Sequence, residues 1–404
     1  MLKVSRGVPL ASVIQFSTKS IKSPLIYPLQ HLSENEMKLV EKVREFATSS
    51  VKPLVKEMDR NAKLDKNLLK AAFDLKLMGL EIDEKYGGSG LSFFETVLTV
   101  EELSKIDPAF AMTIHLQNAL IAPMLSEYGN EEQKEKYLKK VCTESIGSFA
   151  LSETVSGSDA FAMKTTATKD NNDFLINGSK WGISNAPIAD FFLVLANAEP
   201  EKGYRGITCF LIDRDQEGIV VGEQDDNLGM RAGTTAQVHF NNVRVPKSAI
   251  VGEYGKGYKY AIDILNASRI LIGAQMIGLA QGCFDQTIPY LRERKQFGSR
   301  LIDFQGLQHQ IAKVGTEIEA ARLMVYNSAR MKDCGLPFVK AASMAKWLVR
   351  QRNRVSNGSA EEDSQRNSQK FYRDAVVGGI YEGTSNIQLN TIAKFIDNEF
   401  KSKL

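Results

Sequence analysis

The hydrophobic period of this chain changes twice, and that double change restricts its architecture more than any single motif does. Up to about Val141 the apolar residues recur at helical spacing. Ser33 followed by Glu36 forms a capping box ahead of "ENEMKLVEKVREFA", which predicts a helix start. "KYGGSG" (85–90) and Pro108 interrupt this helical block. From about Gly147 the pattern shortens to the β-like runs "FFLVLANA", "GITCFLID", "GIVVGEQ" and "AQVHFNNVRV", with turn residues between them. Asn177-Gly178 inside "DFLINGSKWGIS" predicts a hairpin turn. From Gly257 the helical period returns. Ile272, Met276, Leu279 and Cys283 fall at spacings of 4, 3 and 4, and Leu307, Ile311, Val314 and Ile318 repeat them. Each set lays an apolar stripe along one helix face, as packing against sister helices requires. The expected fold is α+β and multidomain. An all-α domain (32–145) is followed by a middle β-barrel or sandwich (146–252) and a C-terminal α bundle (253–404).

Composition narrows the function classes. The chain has 404 residues, 43% of them hydrophobic and 25% charged, which suits two or three domains with a substantial core. A net charge of +3 with dispersed basic residues gives no electrostatic footprint for nucleic acid. No apolar run reaches the roughly 18 residues that a membrane span needs. Cys142, Cys209, Cys283 and Cys334 are too far apart for a metal knuckle or a disulfide framework, and their use suits a reducing compartment. His31, His115, His239 and His309 fall in no metal-ligand spacing and read as structural or surface residues. No G-x-G-x-x-G follows a strand and no P-loop is present.

The two ends carry different addresses. The first 33 residues hold Lys3, Arg6, Lys19 and Lys22, six serines and no acid, and residues 1–31 are read as a mitochondrial transit peptide. Ser402-Lys403-Leu404 is a peroxisomal tripeptide. The longer signal is the preferred one, which places the protein in the mitochondrial matrix.

Two stretches carry chemistry. "ALSETVSGSDAFA" (150–162) groups small and hydroxylic residues around Gly157, so backbone N–H groups and the hydroxyls of Ser152 and Ser158 can meet a polar ligand. Alone it also reads as a surface turn. In "GGIYEGTSNIQLN" (378–390), Glu382 follows an apolar pair and precedes a glycine and a Thr384-Ser385-Asn386 helix start. A carboxylate held among apolar neighbours gains proton affinity and suits general-base work. A helix start beside it offers N–H groups to phosphate. Alone, this too reads as a capping turn.

Together, and in this order on an α/β/α chain, the two stretches resemble the acyl-CoA dehydrogenase family. The first fits the family signature [GA]-[LIV]-[ST]-E-x-x-[GSA]-G-[ST]-D at every defined position, and the second fits its I-Y-E-G-T-S-N segment. "YLRERKQFGSRLIDFQGLQ" (290–308) adds an R-x-Q-F-G…F-Q match, and the resemblance covers about 32–400. "GYKYAIDILN" and "SNIQLNTIAKFID" point to the members acting on short, 2-methyl-branched acyl-CoA.

The resemblance implies a C-terminal four-helix bundle, a homotetramer, one FAD per subunit and electron-transferring flavoprotein as electron acceptor. It implies α,β-dehydrogenation of an acyl-CoA thioester to 2-enoyl-CoA, in branched-chain amino-acid or fatty-acid breakdown. Glu382 would take the α-proton while the β-hydrogen leaves as hydride to the flavin. The thioester carbonyl would be held by the Glu382 N–H and a flavin ribityl hydroxyl. Phe149, Leu151, Ser152, Ser158, Gly182, Ile183 and Ser184 would line the flavin. Thr384, Ser385 and Asn386 would hold it from the bundle, and Arg294 and Gln305 would reach it across a subunit interface. Ser158, Tyr204, Tyr258, Asn266 and Arg269 would meet the CoA thioester. No metal is implied.

Three departures from the family pattern stand out. Gly182 occupies the place of a tryptophan that packs on the flavin. Trp181 is one residue early and, by strand alternation, is expected on the opposite face. Asn266-Ala267-Ser268-Arg269 replaces N-E-G-R. The third departure is 349–370, where fifteen residues from Ser356 to Lys370 include no large apolar side chain, a composition that predicts little order. Read from the third base of suitable synonymous codons, this stretch spells T-T, E-W, G-G, F-T-K and F-P in the family's order. It reads as the family's FAD-contacting segment translated out of frame. With Gly182, it supports an alternative expectation, a catalytically impaired paralogue that binds FAD poorly.

Overall fold

The structure of the chain, a computed structural model, describes residues 28–353 and 368–401. Residues 1–27 of the expected leader, most of the aberrant polar stretch (354–367) and the terminal tripeptide lie outside the described residues.

The N-terminal helices begin where the sequence places their caps. Ser33 and Glu36 close a reciprocal capping box on α1 (Glu34–Phe46), and Ser92 and Glu95 do the same for α2 (Phe93–Ser104). Every residue of α2 except Glu95 is buried, because the helix runs through the centre of the molecule beside the bundle. α3 (Pro108–Leu116) starts on the Asp107 cap and continues through a wide turn (Gln117–Ile121) into α4 (Ala122–Tyr128).

The middle block forms β1 (Gly147–Ala150), β2 (Thr166–Asp170), β3 (Asp173–Ser184), β4 (Phe191–Asn197), β5 (Ile207–Asp213), β6 (Ile219–Gln224), β7 (Thr235–Pro246) and β8 (Ile250–Val251). They pair in one sheet in the order β6-β7-β3-β2-β4-β5-β8, and β1 lies parallel beside β4. β4 is buried on both faces. Phe192, Val194 and Ala196 join the core inside the curled sheet, and Phe191, Leu193 and Leu195 join the core shared with the helices. The expected hairpin turn at Asn177-Gly178 is not there: both residues lie within β3, whose register shifts between Ile176 and Gly178. A Cβ on Gly178 would lie 2.3 Å from the Thr165 hydroxyl, so this glycine permits close backbone approach rather than chain reversal. The reversal is at Asn171, in the left-handed region at φ 57°.

The C-terminal bundle consists of α5 (Gly257–Glu293), α6 (Gln305–Asp333), α7 (Val339–Asn353) and α9 (Ser385–Lys401), with the short α8 (Ser368–Ala375) between the last two. The α5 stripe of Ile272, Met276, Leu279 and Cys283 is buried as expected. The α6 stripe is not fully covered: Ile318 is buried, while Leu307, Ile311 and Val314 are only half-buried within one copy of the chain. α8 ties the three regions together. Lys370 Nζ lies 2.7 Å from Asp107 on the α3 cap and 2.5 Å from Asp374, and Asp374 accepts from the Met230 N–H at 2.6 Å. Four residues after Asp374 comes the second chemical motif (378–390).

Candidate active site

The two motifs meet in one cavity of about 580 Å³ at the junction of all three regions. Phe149, Leu151, Ser152, Ser158 and Phe161 line it from the end of β1 and the loop after it, and Trp181 to Asn185 from the end of β3. Leu116, Leu120 and Ile121 close the N-terminal side, Ile262, Leu265 and Arg269 come from α5, and Ile380 to Thr384 and Ile387 complete the wall.

The loop after β1 keeps its shape through a buried ion pair. Lys180 Nζ reaches the Glu153 carboxylate and the Leu151 carbonyl, each at 2.9 Å. Glu153 also accepts from the main-chain N–H groups of Lys164 (2.6 Å) and Thr165 (3.0 Å). Burial pulls the Lys180 ammonium down to about 8 against the attraction of Glu153. Burial alone would raise Glu153, but Lys180 and the N–H donors together hold it below the usual carboxylate value. The signature glutamate is therefore structural, and it leaves Ser152, Gly157 and Ser158 facing the cavity.

At the end of β3 the strand alternation fails. The register against β7 shifts between Lys180 and Ile183, and Gly182 takes φ 63°. This bulge overturns the expectation for Trp181, which lines the same cavity as Gly182 and Ile183 instead of facing away. Nothing lies within 4 Å of a Cβ built on Gly182, so space for a planar ring is open there.

Glu382 occupies a turn of unusual backbone, at φ 53° and followed by Gly383 at φ 87°. A non-glycine residue in this region costs about 1 kcal/mol or more and persists only where its surroundings hold it. Lys346 of α7 supplies the hold, its Nζ lying 2.5, 3.2 and 2.6 Å from the carbonyls of Tyr381, Glu382 and Gly383. Gln388 Nε2 adds a second bond to the Gly383 carbonyl at 3.0 Å, and the Tyr381 hydroxyl reaches Gln275 at 2.5 Å. The Glu382 Oε2 is buried without a hydrogen-bond partner. Burial raises the proton affinity of the carboxyl above the usual range, and the Ser268 hydroxyl, Lys346 and Arg269 partly offset this. A half-buried base whose buried oxygen is unpartnered, facing a cavity, can take a proton from a ligand held there.

The remaining expected residues divide by position. Thr384 lines the cavity; Ser385 is buried and Asn386 exposed in the first turn of α9. Tyr258 meets Phe161 edge-on at 6.3 Å and Tyr204 at 5.0 Å, forming an aromatic step beside the cavity. Asn266 lies across α5 against a second cavity of about 460 Å³ and accepts from Arg269 at 2.9 Å. Arg294 and Gln305 are exposed and do not line the cavity within one copy of the chain.

Sequence reading passed over Lys346 and Asn185. Asn185 lines the cavity with both amide atoms buried and unpartnered, so donor and acceptor wait for a polar ring edge. With the space over Gly182 and the Thr384 hydroxyl, this lining fits the ring of a flavin. A Gly-Ile-Ser run after a buried lysine does not by itself disclose the orphaned amide.

Comparison with known proteins agrees with this layout. The acyl-CoA dehydrogenase N-terminal, middle and C-terminal domain families match residues 33–145, 148–243 and 255–396. The mitochondrial short/branched chain specific acyl-CoA dehydrogenase of Rattus norvegicus is 50% identical over 380 residues, covering 92% of this chain and 88% of its own. The solved structure of butyryl-CoA dehydrogenase from Megasphaera elsdenii superposes with a TM-score of 0.87 at 33% identity, over 91% of this chain and 99% of that one. A glutaryl-CoA dehydrogenase from Mycobacterium smegmatis, solved in complex with FADH2, gives 0.85 at 27% identity, over 90% and 95%.

Proposed function

The chain belongs to the acyl-CoA dehydrogenase family of FAD-dependent oxidoreductases, and from that premise we propose that its substrates are short, 2-methyl-branched acyl-CoA thioesters. The observation that carries this reading is the Glu382 carboxylate, with Oε2 buried and unpartnered, facing the shared cavity. In the reaction Glu382 takes the α-proton of the bound thioester. A flavin held by this lining would supply the acceptor for the β-hydrogen, which leaves as hydride. Taking the proton leaves Glu382 neutral, the form its burial favours, while Arg269 and Lys346 favour the charged carboxylate beforehand. The Glu382 N–H is the donor assigned to the thioester carbonyl, where negative charge grows as the proton leaves.

Phe149, Leu151, Ser152, Ser158, Gly182, Ile183 and Ser184 are assigned to the flavin from the β side, and Thr384, Ser385 and Asn386 from the bundle. Ser158, Tyr204, Tyr258, Asn266 and Arg269 are assigned to the CoA thioester. Arg294 and Gln305 are assigned to a flavin in a neighbouring subunit of a homotetramer. Their exposure beside Phe297, itself 96% exposed, and the half-covered α6 stripe support that assembly. The proposed domains are 32–145, 146–252 and 253–404, after a cleaved leader at 1–31. The proposed location is the mitochondrial matrix, with electron-transferring flavoprotein as acceptor and branched-chain amino-acid or fatty-acid breakdown as the setting.

A panel of acyl-CoAs tests the substrate assignment. A kcat/KM highest for short 2-methyl-branched thioesters is expected, and a maximum at straight chains of eight or more carbons would overturn it.

A further inference from the structure

One large aromatic side chain stands at the cavity wall without a part in the reaction above. Trp181 lines the cavity at the end of β3 and is 53% exposed. The chain holds one other tryptophan, Trp347 on α7, which is half-buried and lies outside the cavity lining. Ligand pockets owe most of their contact to apolar and aromatic walls, so an indole left open at such a wall is a contact surface for a ligand.

The backbone fixes where this indole stands. On a regular strand, side chains two apart share a face, so a buried Lys180 would carry position 182 to the buried side with it. The bulge breaks that rule. Lys180 and Ile183 are buried, and Trp181 and Gly182 between them are both exposed. Each flank is anchored. The Trp181 N–H donates to the Ser152 carbonyl at 2.9 Å, Lys180 is held by Leu151 and Glu153, and Ile183 packs in the core inside the curled sheet. Gly182 itself, at φ 63°, suits no bulky side chain, and the space over it is open. A ring is therefore present at 181 and disfavoured at 182.

We propose that Trp181 is a flavin-binding residue: its indole covers the ring system of the bound FAD, and Gly182 leaves the room that this ring system enters. The aromatic cover is thus carried one residue earlier than in the family pattern, and the bulge turns it to the same side. The proposal rests on the reading of this lining as the flavin site. Covering the exposed part of the indole removes roughly 100 Å² of largely apolar surface from water, enough for about a tenfold gain in affinity after the ordering of the ring is offset.

Fluorine labels report on the indole directly. The full chain grown with fluorotryptophan gives two fluorine NMR signals, assigned by their loss in Trp181→Phe and Trp347→Phe. Ring-current shifts reach only neighbouring atoms. FAD loading is therefore expected to move the Trp181 signal and abolish its solvent isotope shift, while the Trp347 signal stays in place. Trp181→Ala is expected to raise the FAD dissociation constant about tenfold, with Trp181→Phe recovering most of the loss. A Trp181 signal that keeps its position and its isotope shift with one FAD bound per chain would overturn the proposal and leave the flavin site intact. A chain that takes up no FAD would bring down the flavin-site reading itself, and the proposal with it.

Discussion

The Lys346 ammonium lies 3.2 Å from the main-chain carbonyl of Glu382 and closer still to the carbonyls on either side, so α7 holds the backbone of the proposed base. Three carbonyls converging on one buried cation make a charge-assisted clamp. It explains how a glutamate keeps φ 53° without glycine's freedom.

Lys346→Met should therefore release the turn while leaving the α7 packing largely in place. The expected result is a fall in kcat of about 10- to 100-fold with a smaller change in KM, corresponding to about 1.4–2.7 kcal/mol at the transition state. Lys346→Arg should recover part of it. Stopped-flow kinetics on both variants, with flavin content measured alongside, checks this.

The Glu153–Lys180 pair makes a stability prediction. Glu153→Gln strands a buried ammonium without its counter-charge and turns one of the two oxygens that accept main-chain N–H groups into an amide donor, which should cost about 3–5 kcal/mol. The double variant Glu153→Leu with Lys180→Met should recover a substantial part of that loss in chemical denaturation, because no unpaired charge then remains.

How far the sequence discloses the molecule depends on whether a contact is local. The Ser33–Glu36 box and the α5 stripe are legible because their partners lie within one or two helical turns. Asn177-Gly178 misleads because the same dipeptide serves close packing on Thr165 as readily as a turn. Trp181 misleads because a bulge, set by pairing with β7, resets the alternation. The α6 stripe has helical period but only partial cover among the described residues. His115 and Ser268, whose side chains meet at 3.1 Å, are 153 residues apart, and nothing in either neighbourhood announces the other. Glu382 is legible through its motif, while the Lys346 clamp that shapes it is not.

His115 also predicts how stability follows pH. Its folded value of about 3 lies below the ordinary 6.5. The unfolded chain therefore binds the proton more readily, and stability present above 6.5 is lost as pH falls toward 3. The loss amounts to several kcal/mol, about 1.4 per unit of displacement. Denaturant midpoints should fall with pH across this window, and His115→Phe should flatten that slope.

The aberrant polar stretch makes a prediction in the coding sequence. The nucleotides for Val349 to Lys370, read from the third base, should encode T-T, E-W, G-G, F-T-K and F-P in that order. Absence of E-W-x-G-G from the shifted frame would end the out-of-frame reading.

The central claim is that Glu382 removes the α-proton of an acyl-CoA thioester. Anaerobic mixing of FAD-loaded enzyme with one equivalent of a short 2-methyl-branched acyl-CoA measures this in a single turnover, through bleaching of the flavin. Removing the base should slow bleaching by at least about 10³-fold in Glu382→Gln, while flavin content, fold and thioester binding stay near those of the parent. Bleaching at the parent rate in that variant would contradict the account and move the base to another residue of the cavity.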